Sequence, residues 1–90
     1  MLRIRILGIR SNERYALRRA VLAALRELAS EVPGIKAEIT EVDDPAEISK
    51  YARVLIQPTL LIGEKTVCSG RIPSREEVVS WLRKTDRPGD

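Results

Sequence analysis

The sequence predicts an α/β domain: a four-stranded mixed sheet with three helices in the order β-α-β-α-β-β-α. Three observations carry this expectation. Leu2 to Leu7 alternates aliphatic and basic residues with a period of two, which suits a strand. Leu17, Ala20, Val21, Ala24, Leu25 and Leu28 then recur at spacings of three and four, which places them on one helical face. Beyond them, short aliphatic runs are separated by the turn formers Pro33-Gly34 and Gly63-Glu64-Lys65. The 90 residues leave room for one domain, and 43% apolar with 32% charged residues is a globular balance.

Each element follows from local chemistry. Gly8 ends the first strand, and Ser11 is expected to cap the first helix with its hydroxyl. That helix runs to about Ser30 and closes at Pro33-Gly34. Ile35, Ala37 and Ile39 alternate with Lys36, Glu38 and Thr40 as a half-exposed second strand. Asp44-Pro45-Ala46-Glu47 is a helix start, with Asp44 as cap and Pro45 at the first helical position, and the short helix is expected to end near Ala52. Leu60-Leu61-Ile62 reads as a buried strand, and Thr66 to Ser69 as its antiparallel return. Ser74-Arg75-Glu76-Glu77 is a capping box that opens the last helix, whose apolar face is Val78, Trp81 and Leu82. The first two strands should pair in parallel through a right-handed crossover. Residues 1–84 form the expected domain and residues 85–90 a flexible C-terminal tail.

Composition excludes several functions. There is no histidine, so neither a Ser-His-Asp nor a Cys-His engine can be assembled from this chain. One cysteine, Cys68, permits no internal disulfide and no CxxC pair, and its place between Val67 and Ser69 reads as a small buried hydrophobe. No apolar run reaches the ~18 residues of a membrane span, and the N-terminus lacks the apolar stretch of a signal peptide, so a cytoplasmic, membrane-free protein is expected. Charge is blocked: seven Arg face two Glu in residues 1–30, and six acids face two Lys in residues 31–50. Such blocks are expected to pair within the fold, with Arg3 and Arg5 meeting Asp43, Asp44 and Glu47. Few aromatic residues and a net charge of only +3 argue against a nucleic-acid partner.

At Ile4-Arg5-Ile6-Leu7-Gly8, Gln57-Pro58-Thr59-Leu60 and Ser69-Gly70-Arg71-Ile72-Pro73-Ser74-Arg75-Glu76-Glu77, the chain resembles the small redox-active disulfide proteins. These are compact thioredoxin-like proteins of prokaryotes, glutaredoxin-sized, and the resemblance covers about residues 1–84. It implies the thioredoxin-like fold. In that family a CxxC follows the first strand; the corresponding residues here are Ser11-Asn12-Glu13-Arg14. Ser11 stands at the nucleophilic position and Arg14 at the resolving one. Pro58 aligns with the family's cis-proline, which implies that the backbone of Gln57 is presented to an extended substrate segment.

A hydroxyl cannot replace an attacking thiolate, so the departure implies a redox-inactive protein. The expected site comprises Arg10, Ser11, Arg14, Gln57, Pro58, Thr59 and Arg71, with no catalytic residue, no metal and no cofactor. Its expected role is to bind an extended peptide, a partner protein or a small anion, the last held by the helix start with Arg10, Arg14 and Arg71. The alternative is glutathione binding through Ser11 and the Pro58 loop, as some glutathione transferases resemble this arrangement. Self-association as a homodimer through a sheet edge or helix stays open, and no residue specifies it.

Overall fold

A computed structural model describes residues 1–51 and 56–86. Its elements are β1 (Leu2–Leu7), α1 (Ser11–Glu31), β2 (Ala37–Val42), α2 (Pro45–Ile48), β3 (Thr59–Ile62), β4 (Lys65–Ser69) and α3 (Arg75–Asp86). They make one four-stranded sheet in the order β2-β1-β3-β4, with β1·β2 parallel and the β1·β3 and β3·β4 pairs antiparallel. Element order, sheet composition and helix number agree with the sequence expectation.

The period-two pattern of β1 sorts its side chains to two faces. Leu2, Ile4 and Ile6 face α1 and α3, where Leu17, Val21, Ala24, Leu28, Val78, Val79 and Leu82 complete the main core. Leu60, Ile62 and Cys68 join from β3 and β4. Leu7 and Leu61 point the other way and form a second, small cluster with Ile48 of α2 and half-buried Val42. Two ion pairs, Glu27–Arg75 and Glu31–Arg83, link the exposed flanks of α1 and α3. The Pro33-Gly34 turn is made by Gly34 at φ +83°, a backbone conformation that a side chain disfavours.

Three local expectations are corrected. β2 begins two residues later than its alternation suggested, because the turn is still closing when Ile35 N–H bonds to Val32 C=O at 3.2 Å. Pairing with β1 starts where Leu2 N–H donates to Lys36 C=O. The second helix stops at Ile48 rather than near Ala52: Lys50 and Tyr51 N–H groups bond three residues back, to Glu47 and Ile48, and tighten the chain into a turn. Ala52 itself lies outside the described residues.

Arg3 and Arg5 do not pair with the acidic run. α2 packs Ile48 against Leu7 and Leu61, and its acidic side chains are engaged locally. Asp44 caps α2 by accepting from Ala46 N–H, and Glu47 pairs with Lys50. Arg5 instead donates to Gly63 C=O and lies over the Tyr51 ring, 5.2 Å from its centroid, in a cation–π contact. α3 extends through Asp86, and residues 87–90 lie outside the described residues.

Ile6 is fully buried at the centre of the main core. Ile6→Ala is expected to lower unfolding free energy by about 2–5 kcal/mol, from lost burial and the cavity left behind. Urea titration followed by circular dichroism measures it.

Candidate functional site

The connections β1–α1, α2–β3 and β4–α3 converge at one end of the sheet. Gly8 marks the meeting point: a Cβ placed there would lie 3.4 Å from Arg14 Cγ and 3.8 Å from Pro58 Cβ. The Gln57–Pro58 peptide is cis. Pro58 C=O accepts from Gly70 N–H at 2.9 Å, which joins the proline loop to the start of the β4–α3 loop. Gly70 has φ +82°, and a Cβ on it would come within 2.6 Å of Ile56 Cγ2. Only glycine satisfies both the backbone angle and that close approach.

The α1 start differs from the expectation. Arg10 is the N-cap residue, in extended conformation, and no side chain caps the helix. Ser11 is already inside the helix, one position too late for its hydroxyl to turn back onto the free N–H groups of the first turn. Its side chain is exposed and has no hydrogen-bond partner among the described residues. Glu13 supplies the acidic group of the first turn.

Arg14 folds back beneath the loop, with its side chain 12% exposed. Its Nη1 donates to Gly8 C=O and to Ile9 C=O, each at 3.0 Å. Its Nε donates to Glu41 Oε1 at 3.3 Å, while Arg18 Nη1 takes Oε2 at 2.7 Å. Glu41 lies opposite Ile6 in the β1·β2 register, so its side chain rises on the α1 face of the sheet. Ile9 N–H donates to Gln57 Oε1 at 2.7 Å, closing a chain of contacts from β2 to the proline loop.

Arg71 makes a two-bond fork with Glu77: Nη1 to Oε1 at 2.9 Å and Nη2 to Oε2 at 2.6 Å. Glu77 also completes the predicted capping box, accepting from Ser74 N–H while its own N–H donates to Ser74 Oγ. Those donors, Arg71 first, hold the Glu77 carboxyl down at about 2. Two of the three arginines proposed for an anion are therefore already bonded to carboxylates. Arg10 is exposed and has no carboxylate partner among the described residues.

Thr59 is buried, and its hydroxyl donates to Ile56 C=O at 2.7 Å, so it supports the loop from within. Gln57 is half-buried. Among the described residues, neither its N–H nor its C=O has a backbone partner. The three converging connections each carry an exposed apolar side chain that the sequence reading did not single out: Ile9 is 51% exposed, Ile56 54% and Ile72 41%. Tyr15, 52% exposed, follows one residue after Arg14 on α1. The available signal was an isoleucine inside each loop segment, beside Gly8, Gln57 and Arg71.

Cys68 is buried in the main core, its thiol directed to Arg71 C=O at 3.7 Å. Burial is the main cause that pushes its pKa up, so the thiolate is disfavoured. Among the described residues no group of acids and cysteine could hold a metal ion, and no helix is long and apolar enough to cross a membrane.

Two measurements check these environments. NMR titration of the Glu77 carboxyl should give a midpoint of about 2, against roughly 4.3 for a free glutamate. Because the folded value is the lower one, this carboxylate adds stability above pH ~4.3 that is lost as the pH falls through about 2. The stability difference between wild type and Glu77→Gln should shrink over that window. Separately, Cys68 should resist iodoacetamide at pH 7 in the native protein and react fully in urea.

A family model described as a thioredoxin domain matches residues 16–83, beginning two residues after Arg14. No curated protein and no solved structure matches the chain.

Proposed function

From the premise that this chain belongs to the thioredoxin domain family, we propose a binding module that has given up thiol–disulfide exchange and docks an extended segment of a partner protein along Gln57-Pro58. One observation carries the reading. The Gln57 N–H and C=O have no backbone partner among the described residues, and each converging connection carries an exposed isoleucine. An extended peptide supplies the complementary pair of backbone groups, and its side chains meet Ile9, Ile56 and Ile72.

The chemistry of the remaining groups supports the loss of exchange. The reaction needs an accessible thiolate and a second sulfur to resolve the mixed disulfide. The chain has one cysteine, buried and held as the neutral thiol. A peptide also fits better than a small anion, since Glu41 and Glu77 already occupy Arg14 and Arg71.

The second reading, glutathione, is favoured by one finding: the Ser11 hydroxyl is not consumed as a helix cap. It is then free to face the sulfur of a tripeptide held by the Gln57 backbone.

In an insulin-reduction assay with dithiothreitol, the protein should show no turnover above background; clear turnover would refute the loss of exchange. Linear peptides selected on the protein from a random library should shift the amide signals of Ile9, Gln57, Thr59 and Ile72. Ile72→Asp should weaken such a peptide by roughly tenfold or more, as loss of a central apolar contact costs above ~1 kcal/mol. Failure to select any peptide, or shifts confined to another face, would reject the docking edge. Glutathione at millimolar concentration should leave Ser11 and Thr59 unmoved; shifts centred there would favour the second reading.

A further inference from the structure

The geometry points to Arg14 as a positioning residue, a non-covalent latch that sets the conformation of the β1–α1 loop and with it one wall of the docking edge. The role rests on the docking reading for its purpose, but on contacts alone for its existence.

The guanidinium ties its own β1–α1 loop to a strand 27 residues further along the chain. Nη1 gathers the carbonyls of Gly8 and Ile9, and Nε reaches Glu41 on β2. A planar cation suits this task, because its donors leave in fixed directions within one plane. With the Ile9 carbonyl held inward, its N–H is held on Gln57 Oε1 at 2.7 Å. That bond engages the Gln57 side-chain carbonyl, which leaves the backbone groups of the same residue for a ligand. Ile9 itself is turned outward, 51% exposed. One side chain thus governs both an apolar contact and the orientation of the peptide-binding backbone.

The cost of ordering a loop on binding falls when the loop is already ordered. Arg14 supplies that order without a bond to any ligand. Its side chain lies mostly under the loop, so its effect on a ligand must pass through Ile9 and Gln57. Arg18 makes a useful contrast: it shares Glu41 yet contacts neither loop carbonyl.

The test compares amide hydrogen exchange in Arg14→Gln, Glu41→Gln and Arg18→Gln with wild type, without ligand. In Arg14→Gln the Ile9 amide should exchange at least tenfold faster, while Ile4 and Ile6 in the centre of the sheet change less than twofold. Glu41→Gln, which keeps the carbonyl contacts but removes the anion, should give a smaller change in the same direction. Arg18→Gln should leave Ile9 within twofold. Unchanged exchange at Ile9 in Arg14→Gln, or an equal acceleration throughout the sheet, would overturn the latch. So would loosening of the loop in Arg18→Gln equal to that in Arg14→Gln. A peptide selected on the wild type should then bind Arg14→Gln at least fivefold more weakly and Arg18→Gln equally well. Equal binding to all variants, with the exchange result obtained, would reject the positioning of ligand while leaving the docking edge itself intact.

Discussion

Everything at the candidate site turns on how one largely covered arginine is satisfied. A guanidinium taken out of water must find acceptors for its N–H groups or carry a heavy desolvation cost. Arg14 finds two main-chain carbonyls in its own loop and a carboxylate on the neighbouring strand. The carboxylate is available because β2 pairs with β1 in a register that puts Glu41 opposite Ile6, on the α1 face. Sheet register, loop conformation and helix start therefore constrain one another. A shift of β2 by one residue would turn Glu41 to the opposite face and leave the cation without its anion.

Electrostatics at the site is largely settled inside the fold. The arginine-rich first third and the acidic second third of the chain meet at Glu41, which serves both Arg14 and Arg18. Arg71 is consumed by Glu77, which also closes the capping box of α3. What the site offers outward is consequently less its cations than isoleucine side chains and backbone groups that have no partner among the described residues. An exposed pair such as Arg71–Glu77 is screened by water and contributes little to stability. Its value here lies in fixing where the β4–α3 loop stands relative to Pro58.

Much of the fold was legible because its signals are local. The alternation of Leu2–Leu7, the long apolar stripe of α1 and the Ser74–Glu77 box each lie within one element, and each appears in the structure. Errors arose where the answer depended on backbone angles or distant partners. Ser11 satisfies every compositional rule for a cap, but Arg10 holds the extended conformation that defines one. Arg14 and Glu41 are 27 residues apart, and nothing in their surroundings announces the pairing. Ile9, Ile56 and Ile72 carry no periodicity, since each belongs to a different loop. The motif around Gln57-Pro58 and Arg71 pointed to the end of the sheet where three connections converge, but not to the apolar character of its surface.

The sheet is also lined unequally. Among the described residues, two helices shield one side, whereas on the other Ile48, the single fully buried side chain of α2, packs with Leu7, Leu61 and half-buried Val42. Detaching α2 forfeits about 1.5–3 kcal/mol of apolar burial, well below the 5–15 kcal/mol that maintains a typical whole domain. The molecule is a laminate with one thin ply. Less apolar burial opposes local opening there, so the thin side is expected to open before the thick one.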